Sequence, residues 1–134
     1  IAVSNKKTIK TIYYQKKKSP LNTLKIKQAK KMFIGNIKKS KVKSETLTTI
    51  IDNTKFKGKK INFLNIDTEG SDLEILKKLN FKKYKPELIC VELVDSFNPN
   101  SKIIKKNKIY KFLVNKKYKL LWSGHFSHIF KAMR

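Results

Sequence analysis

Residues 61–76 read INFLNIDTEGSDLEIL, and the rest of the chain is organised around them. Residues 61–66 are short, apolar and β-prone, the composition of a buried strand. Asp67, Glu69, Gly70 and Asp72 follow at once, and Leu73, Ile75, Leu76 and Leu79 then recur at helical spacing. The segment predicts a strand, an acidic turn and a helix that runs to about Asn80. In an open parallel sheet, ligands bind in the crevice beyond the carboxyl ends of the strands. Asp67 and Glu69 stand at that edge, so they are the first site candidates.

Downstream, Pro86 opens a second strand, residues 87–93 (ELICVEL), with Glu92 at its carboxyl end. Its LICV core is an apolar run, which fits a strand covered on both faces. Residues 95–100 read as a turn-rich loop. Ile104, Ile109, Phe112 and Leu113 place a helix over 103–117. Residues 118–122 and 126–132 are closing strands, and Ser123-Gly124-His125 is short enough to join them as an antiparallel hairpin. Upstream, residues 1–4 read as the end of a strand, and the β-branched and aromatic residues 8–15 as another. The two are expected to form a hairpin at the sheet edge. Residues 16–31 are polar, with Ser19-Pro20 as a break and a helical turn near 24–31. A weak strand is predicted at 33–42, so that 16–43 forms a basic insertion loop with that strand at its end. Ser44 reads as the N-cap of a helix whose apolar face is Leu47, Ile50 and Ile51.

The expected architecture is α/β, a mostly parallel sheet with an antiparallel final strand, joined by right-handed crossovers and covered by helices on both faces. The length of 134 residues fits one domain spanning 1–134. No apolar run approaches the ~20 residues of a membrane span, and no signal peptide pattern is present. Cys90 is the one cysteine and lies in an apolar run, so no internal disulfide can form. It reads as a buried structural thiol, which is consistent with a reducing cytoplasm.

The net charge of +24 points first to nucleic acid or another polyanion. Yet of the 33 basic residues only Arg134 is arginine, which leaves 32 lysines spread along the chain. Phosphate-reading proteins favour arginine for its planar fork, so nucleic acid is not the expected partner. A basic module that binds nucleic acid or an anionic polymer stands as the non-enzymatic alternative. The acids are not spread. Of nine, seven (Asp67, Glu69, Asp72, Glu74, Glu87, Glu92 and Asp95) fall between positions 67 and 95.

If the strands at 61 and 87 are neighbours, Asp67, Glu69 and Glu92 converge on one edge. Carboxylates there could bind substrate hydroxyls, act as a general base or hold a divalent cation. Equally, Asp67, Glu69 and Asp72 could only cap the helix and complement its dipole. His125 falls on the final turn at the same edge and is a possible base near neutral pH. His128 lies within the last strand and reads as structural. No zinc-ligand spacing, Ser-His-Asp order or phosphate loop is present, and Gly35, Gly58, Gly70 and Gly124 are too scattered to cradle a nucleotide.

IDTEGSDLEIL followed by KPELICVEL closely resembles the FkbM family of S-adenosylmethionine-dependent methyltransferases. Asp67, Glu69 and Gly70 match the family's I-D-x-E-G-x-E stretch, with Asp72 in place of the second Glu, and Glu92 matches the acid ending its next strand. AVSN (Ala2, Val3, Ser4, Asn5) resembles the family's A-L-S-D, and FSHIF its last strand. The resemblance implies a Rossmann-like class I methyltransferase fold that moves a methyl group from S-adenosylmethionine to a hydroxyl of a sugar or other metabolite. It implies a small-molecule or glycan acceptor. Asp67 and Glu69 would position it and remove its proton, with Glu92 a second partner and His125 an alternative base. Ala2, Val3 and Ser4, with Asp67, would border the cofactor. Three departures stand out. The glycine-rich cofactor loop and the ribose-holding acid would precede Ile1, so the chain is expected to be the carboxyl-terminal part of the enzyme, truncated at its N-terminus, or an inactive remnant. Asn65 replaces a common Lys. No Gly precedes Tyr118.

Overall fold

The computed structural model describes residues 1–16, 19, 21–93 and 101–133. Pro20 and the expected turn at 95–100, with Asp95, lie outside the described residues. In chain order the elements are β1 (Ala2–Val3), β2 (Thr8–Tyr14), α1 (Ile26–Met32), β3 (Lys38–Glu45), α2 (Leu47–Asp52), β4 (Phe63–Ile66), α3 (Asp72–Leu76), β5 (Leu88–Glu92), α4 (Ser101–Lys106), α5 (Lys108–Asn115), β6 (Tyr118–Ser123) and β7 (Ser127–Ala132). This is a mixed α/β structure. Its strands form two sheets, in the orders β1-β3-β2 and β4-β5-β7-β6, where the sequence predicts one. The chain divides into two compact units, Ile1–Lys57 with Thr68–Leu79, and Gly58–Asp67 with Asn80–Arg134. None of the helices is long and apolar enough to cross a membrane, among the described residues.

In the first unit, β3 runs down the middle of the sheet. It pairs in parallel with β1 (Ala2 opposite Ser44) and antiparallel with β2, from Thr8 opposite Ser44 to Tyr14 opposite Lys38. The expected hairpin of the first two strands is therefore absent, because β3 lies between them. Ser44 explains part of this. It is buried in β3, and its hydroxyl reaches the carbonyls of Lys6 and Thr8, each at 3.0 Å, fixing the turn that separates β1 from β2. Ser44 is thus not the helix N-cap. The strand continues through Glu45, and Thr46 caps α2 instead, its Oγ1 accepting from the Thr49 N–H at 3.2 Å. The weak strand predicted at 33–42 begins later, at Lys38, since Phe33 still closes α1 and Gly35 turns the chain at φ +89°. Ala29, Phe33, Ile75, Leu76 and Leu79 are the buried apolar residues of this unit.

In the second unit, β4 and β5 are parallel neighbours, with Ile66 opposite Val91. β7 is antiparallel to both β5 and β6, so β6 runs parallel to β4 and β5. The antiparallel final strand of the expectation is present, inserted between β5 and β6. Along β5 the burial alternates. Ile89 and Val91 are buried, while Leu88, Cys90 and Glu92 are intermediate. The LICV run is therefore fully buried on one face only, and Cys90 lies on the other. Ile66, Ile89, Val91, Leu93, Tyr118, His128 and Phe130 form the buried layer. The helix predicted at 103–117 is two helices. Asn107 interrupts it and caps α5, its Oδ1 accepting from the Ile109 N–H at 2.8 Å. An Asn side chain competes in this way for backbone groups a continuous helix would use. Tyr110 of α5 meets Phe130 edge-on at 5.8 Å, and the Tyr118 hydroxyl donates to the Pro86 carbonyl at 2.6 Å.

Candidate active site at the carboxyl edge

The second unit places Asp67 immediately beyond β4. Asp67 and Glu92 are the residues that directly follow the last pair of the ladder, Ile66 and Val91. Side chains alternate along a strand, so Asn65, Asp67, Cys90 and Glu92 share the face opposite the buried layer. Ser127 of β7 pairs with Glu92 on its other side. The link from β6 to β7 lies at the same carboxyl edge and is tied to the end of β5 by the Leu93 N–H, which donates to the Phe126 carbonyl at 3.1 Å. His125 is on this link, exposed, its ring edge-on to Phe126 at 4.5 Å. A Cβ at Gly124 would meet the tip of the exposed Trp122 indole, which would have to move aside. One edge of this unit thus carries Asp67, Glu92 and His125.

Asp67 is exposed, and among the described residues no hydrogen bond or ion pair engages its carboxylate. Its charge acts on Cys90, whose thiol is pushed up first by burial and then by Asp67. Inward from the edge, His128 is buried, and its Nδ1–H donates to the Phe126 carbonyl at 2.9 Å. Desolvation lowers its pKa, outweighing that hydrogen bond. It is a neutral structural histidine.

The first unit holds the rest of the acidic turn. Glu69 and Gly70 both lie in the left-handed region, at φ +51° and +90°. For Glu69 that conformation costs of order 1–3 kcal/mol and persists only where neighbours enforce it. Buried Thr23 does so, its hydroxyl donating to the Glu69 carbonyl at 3.4 Å. Lys25 does so too, bonding the Gly70 carbonyl and pairing with Glu74 at 3.1 Å. Asp72 is buried, and its Oδ1 accepts from the Thr68 N–H at 2.9 Å and the Thr68 hydroxyl at 2.8 Å. Among the acids that could merely shape the turn, Asp72 has that role visibly. Ser4, expected near a cofactor, is buried, with its N–H on the Glu45 carbonyl at 2.8 Å and its hydroxyl turned to Asn5 and Lys6. Ala2 and Val3 lie opposite Ser44 and Glu45.

Thr23, Lys25 and Thr68 were not among the sequence-derived candidates. Thr23 and Lys25 carry no local signal, standing more than forty residues from the turn they hold. Thr68 could have been found from its spacing, since Thr68 and Asp72 are a hydroxyl and a carboxylate four residues apart. No group of three His, Cys, Asp or Glu residues is arranged to hold a metal ion among the described residues.

Residues 1–120 match the family model described as the methyltransferase FkbM domain. No curated protein and no solved structure matches the chain.

Proposed function

The chain belongs to the FkbM methyltransferase family, and we propose that it methylates a hydroxyl oxygen of a sugar or similar metabolite, using S-adenosylmethionine in a Rossmann-like class I fold. What supports the site assignment is that Asp67 and Glu92 directly follow the paired residues Ile66 and Val91 at the carboxyl edge of two parallel strands. Ligands of open α/β sheets bind at such edges. When bound, S-adenosylmethionine supplies an electrophilic methyl carbon on a sulfonium, beside an ammonium group. Carboxylates at that edge suit a ligand with two positive centres.

Asp67 accepts a hydrogen bond from the acceptor hydroxyl and takes its proton as the oxygen attacks the methyl carbon. Glu92, beside it on β5, holds a second hydroxyl of the acceptor. Glu69 is an acceptor-positioning residue whose backbone is fixed by Thr23, and His125 is the alternative base. Ala2 and Val3 border the adenine, with Ser4 shaping the turn that follows them.

Two measurements test the reading on the full-length protein. Calorimetric titration with S-adenosylmethionine should show binding. The Asp67→Asn variant should lose roughly 10²–10⁴-fold in methyl transfer with its melting temperature unchanged, since among the described residues no hydrogen bond or ion pair engages that carboxylate. An unchanged rate would remove Asp67 from the chemistry.

A further inference from the structure

In β3, Lys39, Lys41 and Lys43 alternate with Ser40 and Val42, so the three lysines project from one face of the sheet. Their cross-strand partners on β2 are Tyr13, Thr11 and Ile9, all neutral. All three lysines are exposed. Ion pairs among the described residues take other lysines, Lys7 with Glu45, Lys25 with Glu74 and Lys60 with Glu87. Within the row itself, the Lys41 ammonium reaches only the Thr11 hydroxyl, at 3.4 Å. Two shallow concavities flank it. One of about 270 Å³ is lined by Thr11, Lys39, Ser40 and Lys41. The other, of about 380 Å³, is lined by Lys7, Ile9, Lys43 and Glu45, the Glu45 carboxylate being held by Lys7.

We propose that this face binds a linear anionic polysaccharide carrying carboxylates along its length. Alternate residues of a strand lie about 6.8 Å apart, so three cations form a straight row about 13–14 Å long. Such a row matches a ligand that presents repeated charges on an extended chain. A single exposed ion pair is weak, so capture depends on several being made at once. The chemistry of the face favours a glycan over nucleic acid. Its one aromatic, Tyr13, cannot supply the succession of stacking platforms a single strand needs. The Thr11 hydroxyl and the concavities offer places for sugar hydroxyls between the charges. This inference concerns binding alone and stands whether or not the chain transfers methyl groups.

The test is a titration of the full chain with polygalacturonate, with neutral dextran and polyuridylate as comparison polymers. Replacing Lys39, Lys41 and Lys43 together by Gln should weaken polygalacturonate binding about tenfold or more. A matched triple on α4 and α5, Lys105, Lys108 and Lys111 to Gln, removes the same charge from exposed positions and should leave binding within about twofold. Equal losses in the two triples would reduce the effect to net charge and overturn the proposal. So would binding that ignores salt, the absence of binding by the unaltered chain, or tighter binding of polyuridylate than of polygalacturonate at equal salt. A melting curve on each triple confirms that the exposed substitutions leave the fold intact.

Discussion

β3 and β7 occupy the same position, each between two partners in its sheet, yet β3 reads KKSKVKSE and β7 reads SHIFKA. β7 buries His128 and Phe130, whereas β3 buries only Ser44. β3 is bonded to β2 from Lys38 to Ser44 but to β1 only at Ser44 and Glu45, and such a ladder forms whatever the side chains are. Apolar residues are required only where a face is covered. β3 therefore holds its place by its ladder and the Ser44 hydroxyl, and β7 by what it removes from water. Charge can accumulate on the first strand at little cost, and not on the second.

Three changes would break or sharpen that contrast. Phe130→Ala should have the largest effect, about 3–5 kcal/mol of lost stability by denaturant unfolding, because it empties a fully buried site against Tyr110. An intermediate effect is expected from pH. His128 has a folded pKa below its ordinary 6.5, so its contribution to stability is intact above about pH 6.5. It is lost as pH falls from there toward the folded value, where the unfolded chain takes up a proton and the folded chain does not. Melting temperature should fall across that range, and His128→Gln should flatten the fall. Lys41→Gln on β3 should be smallest, within about 0.5 kcal/mol in either direction. A loss comparable to that of Phe130→Ala would mean that the face of β3 is covered after all.

Sequence patterning identified β4 and β5 well because an apolar run bounded by turn residues has few other readings. Their parallel pairing, and with it the alignment of Asp67 and Glu92, followed from the helix between them. What could not be read was partner choice at the start of the chain. Residues 1–15 carry two good strands, and only the position of β3, some thirty residues on, decides that neither pairs with the other. The division of the helix at Asn107 and the shift of the cap from Ser44 to Thr46 turn on single hydrogen bonds among short polar side chains, which local propensity does not rank. At the site, the carboxylates of 67–72 look alike in sequence. Geometry separates them, since Asp72 is tied to Thr68 while Asp67 is exposed at the strand end. The two left-handed residues at Glu69 and Gly70 depend on Thr23 and Lys25, contacts that only the tertiary structure creates.

The place of Cys90 has a consequence for the chain's chemistry toward oxidants and alkylating reagents. Thiolate, not thiol, is the reactive form. Both burial and the neighbouring Asp67 carboxylate hold the Cys90 proton on. Cys90, the one cysteine of the chain, is thereby held toward its less reactive thiol form, although it sits two residues from the charged end of β5.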